Sequence, residues 1–457
     1  MRSMTLYGLI RFDIEDFVTE ESDEALEFVL DVMDEYQMPA SYGIVGKKAQ
    51  SLFAHHQMKT LERLAQKNSV GFHSTSHSEH PTIAEEMAEL DYEDGVARFI
   101  AREKVGIDMV KDLIKSPVYF TQPGGNWVPQ AVDALSLLNM PIFFSDSWNS
   151  YLDTARQPMW IEDIVHWSLP VLNPKPFAMK LPDNLDEAIQ LIEQAPQDLA
   201  PQDAFMVMVH PTELVTTKFW DAVNFELGAT NATLRKAPLR CIQDRHEAYE
   251  GFRQYIRHIR QIAGIEWIDI ASLSDRIQPL TPPALSDPQT LLTIITRYGL
   301  GPAIIHDQSY SAADMVVALA LLMTGATPGQ RLPRVKAPAQ WGSQRLFNGQ
   351  EMSPLGEKLL RQSAHEIVDQ VFETGRLPAL VRTARDLAIE EWAASAIYHF
   401  STPVGDVSLP LTFLDYVKEP KDLHWDWPIF PPDFHPYPLW QETRRLAWSL
   451  KWAQYQS

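Results

Sequence analysis

Short apolar runs and amphipathic stretches alternate along the chain from about residue 5 to residue 275. Tyr7–Phe12 is a mainly apolar run that ends in acidic residues, which is typical of a buried strand. Residues 26–33 then repeat apolar side chains at helical spacing, and Ser22 offers an N-cap in front of them. Strands that alternate with helices form mostly parallel sheets. The pattern therefore predicts an α/β fold.

Later runs continue this alternation. Phe205–Val209 is wholly apolar, as expected for a strand covered on both faces. Residues 252–259 form an amphipathic helical pattern that leads into a run over Ile265–Ile270. Two shorter runs, Ala40–Val45 and Val70–Phe72, complete the set of strands that we predict.

The pattern changes after residue 277. Four prolines fall within Gln278–Pro288, and helical signals dominate beyond them. We therefore expect an α/β domain over residues 1–277, a Pro-rich linker over 278–290 and a mainly helical domain of unknown role over 291–457. Its aromatic and Pro-rich tail, Asp422–Trp440, is either a binding strip or an irregular arm packed over a domain.

Composition narrows the range of partners. The 457 residues include 39 Lys and Arg against 60 Asp and Glu, a formal charge of -21. Such an acidic chain repels nucleic acid and anionic membrane surfaces. The single Cys241 excludes an internal disulfide, and no apolar run approaches a membrane span. We expect a cytoplasmic protein, and the sequence leaves its oligomeric state open, a homo-oligomer included.

Four polar motifs directly follow predicted strands, where parallel α/β sheets and barrels place their sites. The first holds Asp13, Glu15 and Asp16, three carboxylates within four residues. Because like charges repel, we expect a cation or a shared proton among them. The alternative is a helix N-terminus, where acidic residues meet the positive end of the dipole.

The second motif is the pair His73 and His77, which follows Val70–Phe72. If the segment turns helically, both imidazoles lie on one face and can reach one metal ion. A lone His is usually structural, but a pair at this spacing beyond a strand indicates metal ligands.

The third and fourth motifs are weaker. Gln122–Trp127 contains Pro and two Gly, which suggests either a backbone that approaches a ligand or an ordinary turn. His210 leaves the strand Phe205–Val209, so it is either an acid or base near neutral pH or a hydrogen-bonded structural residue.

The order of these motifs resembles the polysaccharide deacetylase family (NodB homology, carbohydrate esterase family four) over about residues 5–275. The HSxxH pair is its most specific part. Ala40–Gly46 is similar to the family's second strand, and Asp146-Ser147-Trp148 to its Asp/Trp loop.

This resemblance implies a distorted seven- or eight-stranded (β/α) barrel that binds one divalent metal ion. Zn²⁺ is the ion that we expect. Asp13 would be the general base and His210 the general acid. Glu15, or alternatively Asp16, would bind the metal together with His73 and His77. The loop that would hold the oxyanion and substrate comprises Pro123, Gly124, Gly125 and Trp127.

One position departs from the family pattern. The family's third motif begins with an Arg that orients the base, and Thr121 stands there in this chain. The expected activity is metal-dependent hydrolysis of a non-peptide amide C–N bond, with an N-acetylated sugar or glycan as substrate. The alternatives are a cytoplasmic hydrolase of a small cyclic amide or imide on the same scaffold and a catalytically inactive carbohydrate-binding protein.

Overall fold

The described residues of the chain fall into two compact units. The computed structural model describes residues 6–146, 152, 157–174, 176–200, 202–339, 355–382, 386–401 and 427–456. The first unit takes its described residues from Met1–Gln157, Ile164–Ile277 and Pro420–Leu439. The second takes them from Pro158–Asp163, Gln278–Glu419 and Trp440–Ser457. The division into domains at a 278–290 linker remains our proposal.

Strands and helices of both units are numbered in chain order, and they alternate through the first unit. The strands in chain order are β1 (Leu6–Ile14), β2 (Ser41–Ile44), β3 (Ser69–Phe72), β4 (Tyr119–Thr121), β5 (Ile142–Asp146), β6 (Met159–Ile161), β7 (Ile164–Leu169), β8 (Ala204–Val209), β9 (Ile265–Trp267), β10 (Ala303–Ile305), β11 (Gln308–Tyr310), β12 (Leu380–Val381), β13 (Leu387–Ala388) and β14 (Lys451–Trp452). The helices are α1 (Glu21–Glu35), α2 (Gly46–Ala54), α3 (Met58–Ala65), α4 (Ile83–Met87), α5 (Tyr92–Leu113), α6 (Ala131–Leu137), α7 (Leu185–Asp198), α8 (Trp220–Phe225), α9 (Ile242–Ile259), α10 (Ile270–Ser274), α11 (Pro288–Tyr298), α12 (Ala312–Met323), α13 (Glu357–Thr374), α14 (Ile389–Ser401) and α15 (Tyr437–Leu446).

Seven parallel strands of the first unit form one curled sheet. They pair in the order β7-β5-β4-β3-β2-β1-β8. Directly after β7, Val171 pairs in parallel with Met206 of β8. The Asn173 side chain extends this seam, since its amide exchanges two hydrogen bonds with the Met208 backbone, at 2.9 and 3.1 Å. This isolated bridge links the two ends of the curled sheet, and the predicted parallel α/β architecture is confirmed.

An eighth strand joins outside this circuit. β9 pairs with Leu6–Gly8 at the beginning of β1, whereas β2 pairs with Arg11–Ile14 farther along. β8 pairs along one edge of β1, from Tyr7 to Phe12. Along the other edge, β9 pairs with the beginning of β1 and β2 with its end. This arrangement distorts the barrel around the strand that carries the acidic motif.

The alternation of β1 sorts its side chains. All nine of its residues are buried. Phe12 stacks on Tyr42 at 5.5 Å between ring centroids and meets Phe252 of α9 edge-on. Because successive strand residues point to opposite faces, Arg11 and Asp13 point away from this helix-facing layer.

Two local predictions were wrong. Ser22 is not the N-cap of α1, which begins at Glu21 after Glu20 without a side-chain cap. Ser22 instead accepts a hydrogen bond from the buried Lys48 (2.6 Å), because a buried ammonium needs acceptors. The strand predicted over Ile265–Ile270 ends at Trp267, since Asp269 caps α10 by accepting from the Ser272 amide at 2.8 Å.

The described part of the second unit is mainly helical. It contains α11–α14 and most of α15, together with the antiparallel pairs β10–β11, β12–β13 and β6–β14. α12 is buried almost throughout, and at its first turn Asp314 pairs with Lys451 at 2.8 Å. Among the described helices, none has the length and apolar character needed to cross a bilayer.

His166 on β7 provides a test of this core. Burial alone lowers its pKa to about 3. Its ring meets Trp127 and Phe143 edge-on, each at 5.3 Å. An unfolded His has a pKa near 6.5, so between pH 6.5 and 3 the unfolded chain binds a proton that the folded chain does not.

We therefore expect the free energy of unfolding to fall as the pH falls below about 6.5. From pH 7 to pH 5 the His166 contribution is roughly 2 kcal/mol. In His166→Phe this part of the pH dependence should disappear, as measured by urea unfolding at both pH values. The exposed His56→Asn is the matched control. An unchanged difference in His166→Phe would show that His166 accepts a proton in the folded chain.

Candidate active site

The inward-pointing residues of β1 begin the site. The Arg11 guanidinium donates from Nη2 to Asp13 Oδ2 at 2.5 Å, and both side chains are at most 3% exposed. Burial would raise the pKa of Asp13, but Arg11, His73 and His210 outweigh it and lower that pKa. Its second oxygen, Oδ1, is buried and has no hydrogen-bond partner among the described residues. Asp13 is therefore a fixed carboxylate whose Oδ2 faces His73 Nε2 (4.0 Å) and His210 Nε2 (3.7 Å).

His73 and His77 approach each other through a tight turn. The expected helical turn is not present, because Ser74 and His77 adopt left-handed φ values of 68° and 51°. The Ser74 hydroxyl accepts from the His77 amide at 2.9 Å and closes the turn. The two imidazole centroids lie 5.0 Å apart. Left-handed backbone at non-glycine residues costs energy and is often found at functional sites.

Glu15 joins the two imidazoles. Its Oε2 lies 2.8 Å from His77 Nε2 and 3.3 Å from His73 Nε2. Its Oε1 accepts from the Trp220 indole at 2.9 Å. Burial would raise the pKa of Glu15, but His77 and His210 hold it well below its usual range.

These three residues fit a divalent metal. One ligand atom from each of Glu15, His73 and His77 lies within 4.8 Å of the others. The Nδ1 atoms of the two imidazoles are engaged elsewhere, with the Thr121 carbonyl (2.9 Å) and the Ser78 hydroxyl (2.5 Å). Such outer hydrogen bonds direct Nε2 toward a metal. Two imidazoles and one carboxylate form the donor set of many catalytic zinc sites.

Asp16 points elsewhere. One of its oxygens accepts from the amides of Val18 (3.0 Å) and Thr19 (2.8 Å), and the other accepts from the Thr212 hydroxyl (2.6 Å). Burial raises its pKa. Of the two metal carboxylates that the sequence left open, the geometry favours Glu15, and Asp16 holds the loop after β1 to Thr212.

His210 lies across from Asp13. Its Nε2 is 3.7 Å from Asp13 Oδ2, and its Nδ1 is 3.4 Å from Glu213 Oε1. Burial would lower the pKa of His210, but Glu15, Glu213 and Asp13 outweigh it and raise that pKa to about 9. His210 thus carries a proton at neutral pH. A bound divalent cation would act in the opposite direction.

The residues of the Pro-Gly loop lie in different surroundings, some at the cavity and some in the core. Gly124 lines the cavity above the His pair. Trp127 does not reach it, because its ring is 1% exposed and stacks on Phe143 at 5.2 Å in the core. Pro123 and Gly125 flank Gly124 in the chain. Ser147 and Trp148, matched to the family's Asp/Trp loop, lie outside the described residues, as does the Asp146 side chain.

Sequence reasoning missed two contributors. Arg11 contacts Asp13, whereas Thr121, where the family has its Arg, is wholly buried behind Gly43. The signal for Arg11 was present, since residues 11, 13 and 15 share one face of a strand. Trp427 lines the cavity beside His77, and no local pattern connects these two residues.

The site opens into a cavity of about 450 Å³ within the first unit. The ionisable groups that line it include Asp13, Glu15, both His of the pair and His210, while Phe177, Met179, Met208, Phe219 and Trp427 are apolar. Such a cavity, with converging polar groups and perturbed pKa values, is the usual form of an active site.

Comparisons with known proteins show a distant likeness of fold. No protein-family model matches the chain, and no curated protein is similar to it in sequence. Among solved structures, a candidate polysaccharide deacetylase from Mycobacterium smegmatis has a TM-score of 0.39 and 14% identity, over 62% of this chain and 95% of that one. A Puue allantoinase gives 0.41 and 8%, over 60% and 91%. A 4-alpha-glucanotransferase from Thermococcus litoralis gives 0.42 and 12%, over 61% and 41%.

The three identities are at most 14% and the three TM-scores at most 0.42, and the three proteins carry different names. A match to the polysaccharide deacetylase family is not found in sequence. What the chain does must be inferred from the geometry of its own site.

The two acidic neighbours allow a matched test of the metal site. We expect one divalent ion per chain. Glu15→Gln should weaken the binding of this ion by more than roughly tenfold, because changes to residues behind the metal ligands already weaken it by roughly 10–100-fold. Asp16→Asn should retain the ion, because Asp16 contacts backbone amides and Thr212. Elemental analysis and zinc titration of both variants measure this. The reverse pattern, with zinc lost from Asp16→Asn, would assign the ligand to Asp16.

Proposed function

We propose that this chain is a metal-dependent hydrolase that cleaves an amide C–N bond outside peptides. The observation that supports it most is the convergence of Glu15, His73 and His77 next to two further ionisable groups, Asp13 and His210. All five lie at or beyond the carboxyl ends of parallel strands, where α/β sheets and barrels place their chemistry. Zn²⁺ is the ion that we expect.

Asp13 acts as the base in this proposal. When bound, the ion would polarise the amide carbonyl and lower the pKa of a water molecule. Asp13 takes the proton of the attacking water, since its Oδ2 lies nearest the imidazoles of His73 and His210, at 4.0 and 3.7 Å. Arg11 holds Oδ2 and keeps the carboxylate ionised at neutral pH. Arg11 thus fills the orienting role that Thr121 cannot perform.

His210 acts as the acid. Expulsion of the amine requires a proton on the leaving nitrogen. In addition to Glu15, which the ion would bind, Glu213 and Asp13 favour the charged form of His210, and Glu213 Oε1 lies 3.4 Å from its Nδ1. Gly124 would offer its backbone N–H to the oxyanion, in agreement with its position in the cavity wall.

The resemblance in sequence favours an N-acetylated sugar or glycan, which would release acetate. A small cyclic amide or imide is the alternative on the same site, and its ring would open without acetate. An inactive carbohydrate-binding protein would need neither an ion nor the Asp13–His210 arrangement. The convergence of Asp13 and His210 on the cavity that the three proposed ligands also line favours an enzyme.

Asp13→Asn tests the base. The variant preserves shape but removes basicity, so hydrolysis should fall by roughly 10²–10⁴-fold. Zinc content should remain, because Asp13 is not among the three proposed ligands. N-acetylated sugars, short chitooligosaccharides and cyclic imides are the substrates to screen, with acetate and ring opening as separate readouts. Zinc lost together with activity would make Asp13 a ligand, and full activity would exclude this mechanism.

Arg11 is a positioning residue, and a double-mutant cycle tests it. Arg11→Met should lower kcat by roughly 10–100-fold, and Arg11→Lys should restore part of it. If Arg11 acts through Asp13, the change Arg11→Met should have little further effect in the Asp13→Asn background. Kinetics of the four proteins measure this coupling. Equal losses in both backgrounds would show that Arg11 acts independently of the base.

A further inference from the structure

We propose that the substrate is a small amide with a flat apolar group, and that Trp427 is the specificity-determining wall that receives this group. The inference rests on the proposed function for the reaction itself. It concerns the apolar residues that line the same cavity and take no part in the chemistry.

Trp427 is next to both halves of the site. Its ring meets the His77 imidazole edge-on, with 5.6 Å between centroids. It also covers the Gly124 backbone so closely that a Cβ on Gly124 would lie 2.2 Å from the indole. Gly124 has a φ of 42°, so its lack of a side chain serves both the turn and this contact. The indole thus borders a proposed metal ligand and the proposed oxyanion loop.

The segment after Trp427 is firmly attached to the first unit. The carbonyls of Pro428 and Ile429 accept from the amides of Leu227 (2.9 Å) and Gly228 (2.8 Å). Ile429 is fully buried in a cluster with Trp220 and Phe225. Trp427 is therefore a fixed wall whose position is set by its neighbours.

Apolar side chains from other elements also line the cavity. Phe177 and Met179 come from the segment after β7, Met208 from β8, and Phe219 from the residues before α8. The Phe219 ring stands edge-on to His210 at 4.9 Å. An amide bound among the ionisable groups would therefore have aromatic rings and methionines next to its substituent.

The dimensions and lining favour a compact ligand. About 450 Å³ lies in the lower part of the roughly 300–1,000 Å³ range of small-molecule pockets. Stacked or edge-on contacts stabilise flat rings beyond the burial of area alone, and methionine adapts to irregular apolar shapes. These features select an aryl or similarly flat amide over an extended glycan chain.

Hydroxamates separate this inference from the metal site. Acetohydroxamate reports the zinc site alone, and benzohydroxamate adds a flat ring. We expect the zinc-loaded full-length protein to bind benzohydroxamate at least tenfold more tightly, by calorimetry. Trp427→Ala should reduce this preference roughly three- to tenfold, whereas Trp427→Phe should retain most of it. Tyr437→Ala, at an exposed position in the following helix, is the matched control and should leave the preference unchanged.

The outcomes distinguish the two proposals. Binding of both hydroxamates with the same preference in wild type and Trp427→Ala would overturn the role of Trp427 and leave the metal site intact. Binding of neither by the wild-type chain would overturn the proposed metal site and this inference with it. A higher kcat/KM for tetra-N-acetylchitotetraose than for acetanilide would overturn the assignment of a small flat substrate.

Discussion

The burial of two carboxylates, Asp13 and Glu15, is the constraint on which the site depends. They are 2% exposed and two residues apart in sequence. Removing such charges from water costs several kcal/mol each unless opposite charges and hydrogen bonds compensate. Arg11 satisfies Asp13, and the His73–His77 pair satisfies Glu15. The strained turn between these two His, the neighbouring strands and the hydrogen bonds behind each imidazole all serve this compensation.

Much of this arrangement could be predicted from local sequence. The apolar runs located the strands, and the polar residues after them marked one end of a parallel sheet. Strand alternation also contained the position of Arg11, although the comparison with a family pattern drew attention to Thr121 instead. The turn at His73–His77 could not be predicted, because its left-handed Ser74 is held by a tertiary contact, in which its carbonyl accepts from the Gly46 amide at 3.0 Å.

Long-range packing accounts for the other surprises. Trp127 follows two glycines in a loop, which suggested a ligand contact, but a large apolar ring gains more by stacking in the core. Ser22 is a residue type that often caps helices, but its hydroxyl accepts a hydrogen bond from the buried Lys48 instead. The contact of Trp427 with Gly124 joins residues far apart in sequence, and no periodicity records such a pairing.

The chain order of the cavity's parts has a consequence for biosynthesis. The proposed metal ligands are translated first and His210 later, whereas Trp427 emerges after most of the second unit. Domains generally fold as they leave the ribosome, from the N-terminus onward. The nascent barrel thus passes through a stage in which His77 lacks its indole neighbour and the cluster around Trp220 lacks Ile429. Until then, the apolar residues around Trp220 are without the partners that Trp427 and Ile429 supply.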